Sequence, residues 1–330
     1  MAKFSTEYLN IKDQQRHPDP FPLVYKSYSK KNNIDDVNSW LKLKKNKLLD
    51  QLESHGAILF RGFPIKNDIE FDRFVDSFKL ENLLYDDTLS NAIRLNRTTR
   101  VFTSNEAPSN IPIFLHHELA QTPLFPSHLF FFCERPSHRG GETILCRSDV
   151  LLEHLIKKVP DFITTCEKLG VRYKNIMPAS EDKQSGQGRS WCNTFGTNKK
   201  ELAEEKLRAL NYDWEWKEDG SLIVTTSPRP AIRKTQNNRR VFFNQLIAAY
   251  LGWKDKRNNP QKTICFGDGS NIPNSIMSTI SEIADQLSFN LKWKKGDIAM
   301  VNNLLVLHGR KPFQGNRSVL ASLAINKSDL

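Results

Sequence analysis

Residues 111–121, IPIFLHHELAQ, place two adjacent histidines and a glutamate at the end of an apolar run. The run reads as a strand, in which alternate side chains share a face. His116 and Glu118 then point one way and His117 the other. An imidazole nitrogen beside a carboxylate oxygen supplies two corners of a metal site. On a helix, residues two apart diverge and the pairing fails. A third ligand must come from elsewhere. His17 lies in a polar N-terminal segment, His55 precedes a glycine, His128 and His138 flank the next apolar run, and His154 sits in a helical pattern. His308 differs, because it closes the apolar run NNLLVL and is followed by GRKPF. Two histidines and one carboxylate leave three coordination positions open, the ligand set of non-haem Fe(II) oxygenases. A zinc hydrolase can use the same donors. The lack of an HExxH motif and of an evident general base near the pair counts against that alternative but leaves it standing.

Several elements must carry these residues. Residues 34–55 space apolar side chains at helical intervals between lysines, and GAILFRGFPI follows as a short buried strand. DIEFDRFVDSFKL returns to helical spacing. The stretch from FPSHLFFFCERP to GGETILC reads as strand, turn, strand. Residues 148–169 read as one helix with Ser148 at its N-cap, and IPNSIMSTISEIADQLSF as another. SLIVTT and VFFNQ are strand-like, and the chain closes with strands in GDIAMVNNLLVLHG and RSVLASLAI. The pattern predicts a mainly β core with flanking helices, closed as a jelly roll or sandwich. No GxGxxG or GxxxxGK[ST] phosphate loop is present, which argues against a Rossmann enzyme.

Composition narrows the class further. At 330 residues, with 38% hydrophobic and 26% charged side chains, the chain can bury a sizeable core. No segment offers about eighteen uninterrupted apolar residues, so no membrane span is expected. The N-terminus has no apolar signal segment and the five cysteines form no CxxC pair, which is consistent with reduced thiols and a cytoplasmic protein. The net charge of +11 is spread along the sequence without a long basic tract or RNP-type motif, so nucleic-acid binding is disfavoured.

The segments HHELAQTPLFPSHLFFFCERPSHRGGETILCRSDVL, VFFNQ, GDGSNIP and WKKGDIAMVNNLLVLHGRKPFQGNRSVLASL together resemble the TauD/TfdA family of Fe(II)/2-oxoglutarate dioxygenases. Within it they are most similar to members with an HxE pair, those like SyrP and clavaminate synthase. The resemblance runs from about residue 55 to the C-terminus. It implies a double-stranded β-helix, with 1–54 as an N-terminal extension and helix, 55–330 as the dioxygenase domain, and an inserted lid over about 150–240. It implies Fe(II) on His116, Glu118 and His308, with 2-oxoglutarate and O2 as cosubstrates. Thr143 of GGET matches the threonine that hydrogen-bonds the cosubstrate carboxylate, and Arg317 matches its arginine partner. A planar guanidinium clamps a carboxylate bidentately, and the glycines before Thr143 permit close backbone approach.

Two departures stand out. Many relatives place the cosubstrate arginine about fourteen residues after the distal histidine, where this chain has Ser322, leaving Arg317 as first candidate and Arg310 as second. Asn302 and Asn303 stand where relatives often have Asp-Asn, read here as a change of turn. Glu118 fills the place that related halogenases leave open for chloride, which favours hydroxylation, desaturation or ring formation. The resemblance implies a small-molecule substrate, an amino acid or amine-bearing acid, free or on an acidic carrier protein. Asn105, Glu106 and Asn244 are candidate substrate contacts, and Glu106 could pair with an ammonium group. Trp191, Asn193, Asn244 and Gln245 lie in segments expected to cover the site as a lid. A binding protein that kept these residues and lost the activity is the remaining alternative.

Overall fold

Helix Ile34–His55 begins at a capping box: the Asn33 side chain accepts from the N–H groups of Asp35 and Asp36, and the Asp36 carboxylate takes the Asn33 N–H. The helix buries Val37, Leu41, Leu48 and Leu52 on one face and leaves its lysines outside. Gly56 ends it, and the chain passes directly into the buried strand Ala57–Arg61. The computed structural model describes residues 4–28, 31–259 and 262–326.

In the larger sheet the strands lie in the order Leu23–Lys26, Ala57–Arg61, Ile298–Asn302, His128–Arg135, Ser318–Ile325. The first two pair in parallel and the rest antiparallel. A second, four-stranded antiparallel sheet has the order Phe289–Leu291, Thr143–Arg147, Val306–Arg310, Ile113–His116. Leu129, Phe131 and Cys133 alternate onto the face shared with Leu145, Leu291 and Val306 of the second sheet. Phe130 and Phe132 turn the other way and pack with Leu41, Leu48, Phe71 and Phe74 of the N-terminal helices. The phenylalanine run is therefore apolar on both faces because helices cover its back. Leu115, Cys146 and Leu307, on the far face of the second sheet, pack with helices Ser148–Lys158, Pro160–Leu169, Leu246–Gly252 and Asn274–Gln286. This is the two-sheet, helix-flanked β core that the pattern predicts.

The structure differs from the sequence reading in four places. Leu23–Lys26 is a strand of the larger sheet, so the part before residue 55 contributes to the core as well as a helix. The helix expected over 148–169 breaks at Val159, because Pro160 cannot donate a backbone bond and instead opens a new helix at its first position. Ser148 is the first residue of its helix rather than the cap, and its hydroxyl bonds Leu304 O at 3.3 Å. In VFFNQ only Val241 belongs to a strand, the short pair Arg233–Lys234 with Arg240–Val241.

Between Thr143–Arg147 and Phe289–Leu291 lies a long segment with its own four-stranded sheet, ordered Asp213–Trp216, Leu222–Thr225, Val171–Met177, Ile264–Phe266. Met177, Trp191, Phe195, Leu207 and Val224 form its apolar cluster, with Trp214 and Trp216 against it. The range expected for the lid, 150–240, falls inside this segment.

Candidate active site

The two histidines meet across a strand pair. Ile113–His116 runs antiparallel to Val306–Arg310 with His116 opposite His308, and their ring centroids are 4.3 Å apart. Gly309 permits this approach, since a Cβ there would lie 2.5 Å from Ile113 O. The strand stops at His116, and Leu119 with φ +59° lies in the turn that follows. Strand alternation is thus not what brings Glu118 beside His116. Asn303 is: its Oδ1 accepts from the Glu118 N–H at 2.8 Å, and its Nδ2 donates to Glu118 O at 3.0 Å and Pro126 O at 2.7 Å. The position read as a change of turn is the clamp on the turn that carries the carboxylate.

One ligand atom each from His116, Glu118 and His308 lie within 4.8 Å of one another. Glu118 Oε2 is 3.5 Å from His308 Nε2 and 3.9 Å from His116 Nε2. His116 Nδ1 is 2.7 Å from Phe114 O, which places its proton there and leaves Nε2 with a free lone pair. Burial, aided by the neighbouring His308, lowers His116 to about 4 and keeps it neutral. Burial alone would raise the Glu118 carboxyl, but Arg94 and the two imidazoles outweigh it and hold the carboxyl below its usual range. A neutral His116, an ionised Glu118 carboxylate and the facing His308 imidazole suit a divalent metal. His117 faces away, its ring between the carbonyls of Asn303 and Phe242 and against Phe243.

The triad borders a cavity of ≈ 110 Å³. Thr143 and Arg317 line the same cavity. The Trp293 indole N–H donates to Thr143 Oγ1 at 2.9 Å. Arg317 Nε donates to Gly141 O at 2.9 Å, and its terminal nitrogens have no protein partner among the described residues. A Cβ at Gly141, φ +73°, would meet Arg317 Cδ at 3.0 Å, so the glycine lets the arginine pass. Arg310 also reaches the cavity, but its guanidinium bonds the carbonyls of Ala107, Pro108 and Ile111 and thereby fastens that loop. Burial lowers both Arg310 and Arg317 to about 10, and both stay charged at neutral pH. Ser322 is buried in strand Ser318–Ile325, opposite Phe130, and does not line the cavity.

Of the candidate substrate contacts, Asn105 lines the cavity, with Oδ1 accepting from the Ala107 N–H. Glu106 is exposed and off the lining. Asn244 is buried away from it, its side chain bonded to Ala231 O and the Leu246 N–H, while the adjacent Gln245 does line the cavity. Trp191 packs edge-on against Trp216, and Asn193 bonds Glu181, both away from the cavity lining. Residues the sequence reading did not single out include Arg94, Gln121, Phe131 and Gln187. Arg94 sits in NAIRLNRTTR among three arginines, and nothing local sets it apart.

Residues 22–323 match the family described as taurine catabolism dioxygenase TauD, TfdA family. A clavaminate synthase-like protein of Arabidopsis thaliana is 39% identical over 318 residues, 94% of this chain and 96% of that protein. The dapdiamide synthesis protein DdaC of Enterobacter agglomerans is 28% identical over 288 residues, 82% and 83% of the two chains. Among solved structures, PvcB of Pseudomonas aeruginosa aligns with a TM-score of 0.58 at 14% identity, over 99% of this chain and 92% of that one, a likeness of fold. The match reaches back to strand Leu23–Lys26, so the family likeness begins well before residue 55, where the sequence resemblance starts. The chain belongs to the TauD/TfdA family of dioxygenases.

Proposed function

We propose that the protein is an Fe(II)/2-oxoglutarate-dependent oxygenase that hydroxylates an amino acid or small amine-bearing acid. The observation that carries this reading is the convergence of two imidazole nitrogens and one carboxylate oxygen within 4.8 Å, on a cavity that Thr143 and Arg317 also line. His116, Glu118 and His308 hold the metal. With the metal, 2-oxoglutarate and O2 bound, oxidative decarboxylation to succinate and CO2 would supply the oxidant for the substrate.

The chain's own groups do the rest. Because Trp293 donates to Thr143 Oγ1, the threonine's own O–H is free to donate into the cavity, toward a 2-oxoglutarate carboxylate. Arg317 offers its free terminal nitrogens to the remote carboxylate, a charge-assisted pairing in a water-poor site. Phe131, Leu119 and Val319 give the cavity apolar walls that exclude water. Glu118 is the one carboxylate among the described lining residues, so a substrate ammonium group meets amide oxygens instead of an ion-pair partner. The Oε1 atoms of Gln121 and Gln187, two of the lining residues, are buried without partners among the described residues, which supports their accepting from such donors. Likeness to a dapdiamide synthesis protein favours a small nitrogen-bearing substrate.

The titratable lining groups are the triad and three arginines, which leaves a hydrolase without a general base. The five cysteines are unpaired and no described helix is long and apolar enough to cross a membrane, both in keeping with a cytoplasmic enzyme. A net charge of +11 suits an acidic carrier as well as a free acid, and carrier-bound and free substrates are compared directly in a succinate-release assay. The first test is anaerobic addition of Fe(II) and then 2-oxoglutarate to the metal-free protein. A visible charge-transfer band that needs both and is absent in His116→Ala is expected. Stoichiometric metal binding without the band would defeat the oxygenase reading.

A further inference from the structure

Arg94 brings a charge into the interior beside the triad. Its side chain is 8% exposed, and its guanidinium lies over the rings of Tyr85 and Phe102, 5.0 Å and 5.3 Å from their centroids. Its Nη2 donates to Glu118 Oε1 at 3.0 Å and Oε2 at 2.9 Å, while Nε has no partner among the described residues. The buried cation thus depends on one carboxylate, and that carboxylate is the candidate metal ligand.

A glutamate can offer a metal one oxygen or both. Binding through both would occupy one of the three positions that a two-histidine, one-carboxylate site keeps open. Asn303 fixes the Glu118 backbone on both sides, so the freedom that remains lies in the side-chain torsions. Within the structure Oε2 faces the imidazoles at 3.5 Å and 3.9 Å, while Oε1 also rests on Arg94. We infer that Arg94 is a positioning residue: it retains Oε1 when a metal takes Oε2, keeps Glu118 a one-oxygen ligand, and so preserves the third open position.

The inference rests on the triad being a metal site, but not on the metal being iron or on 2-oxoglutarate as cosubstrate. It is also distinct from charge neutralisation. A bound divalent metal already compensates the Glu118 charge, so neutralisation gives Arg94 no further part once the metal is in place. Neutralisation alone predicts no change in open positions when Arg94 is removed, whereas positioning does.

The test loads the full chain with Mn(II) and measures water-proton relaxation, which counts exchangeable waters on the ion. The wild type is expected to hold three. Arg94→Met keeps an unbranched stem between the two rings but loses the donor. It is expected to hold two waters, lowering relaxivity by about a third, and, when loaded with Fe(II) instead, to need at least tenfold more 2-oxoglutarate for the charge-transfer band. Arg94→Lys restores a donor and should return to the wild-type count. Arg94→Gln, shorter and neutral, is expected to match the Met variant and replaces it if that variant does not fold. Equal relaxivity in wild type and in the folded Met or Gln variant overturns the inference, as does failure of the wild type to bind Mn(II). Three waters in the wild type with no 2-oxoglutarate band would sink the oxygenase reading and leave Arg94's role intact.

Discussion

At the scale of single residues, two arginines near the triad have the same charge and opposite tasks. Arg310 is tied to four backbone carbonyls of the loop it holds, those of Asn105, Ala107, Pro108 and Ile111, while Arg317 keeps its terminal nitrogens for the cavity. Arg317→Ala is therefore expected to raise the 2-oxoglutarate concentration for half-maximal turnover by more than tenfold, with a smaller change in the rate at saturation. A steady-state titration checks this, and unchanged affinity would remove Arg317 from the pocket. Asn303 is the other decisive residue. Asn303→Ala leaves the Glu118 N–H and two carbonyls without their partner, at roughly 3 kcal/mol. Denaturant unfolding should show that loss, together with weakened metal binding in the folded fraction.

Elements decide whether the residues meet. His116 and His308 converge because two strands pair closely at Gly309, where an added Cβ would come within 2.5 Å of Ile113 O. Gly309→Ala is expected to push Ile113–His116 away from its neighbour, destabilising the fold by about 1–3 kcal/mol. Metal affinity should fall further than stability does, because the two rings face each other at 4.3 Å across that pair. Isothermal titration beside thermal unfolding separates the two effects, and intact affinity would show that the turn at 117–120 adapts. The helices matter less directly. They cover the backs of both sheets and so allow the strands that carry the histidines to be apolar throughout.

Across the whole molecule, burial of neutral histidines makes stability depend on acid. His128 is lowered to about 4 by burial, against an ordinary value of about 6.5. Its folded form stays neutral while the unfolded chain takes up a proton, so the stability it contributes is complete above about pH 6.5 and is lost as pH falls toward 4. Over that window the slope is at most about 1.4 kcal/mol per pH unit for this residue. Denaturation midpoints from pH 7 to pH 4 should decline, and His128→Gln should flatten the curve. A curve of equal slope in the variant would assign the acid sensitivity elsewhere. Among the buried ion pairs, Arg61 on Asp297 at 2.6 Å joins strand Ala57–Arg61 to the turn before Ile298–Asn302 and ties the N-terminal part to the distal strands.

Much of the site was legible in the chain because metal ligands are chosen by chemistry. Histidine, glutamate and histidine in strand-end contexts narrow the possibilities quickly, and the β core follows from alternating and continuous apolar runs at residues 57–61, 128–135 and 318–325. The sequence also carried the helix at Ile34–His55, since helical spacing is a local signal. What it could not carry depends on partners far along the chain. His116 and Glu118 come together for a reason that strand alternation does not supply, because Glu118 leaves the strand and is held by Asn303, 185 residues away. Arg94, 24 residues before the carboxylate it grips, has no local pattern to mark it. Asn244 and Gln245 are adjacent and equally polar, yet only Gln245 reaches the cavity, a choice made by which carbonyls each can satisfy inside the folded core. Residue type and local period determined the chemistry on offer and the elements that bear it. Long-range packing and the pairing of buried polar groups decided which side chains meet at the triad, which line the cavity beside it and which only hold the others in place.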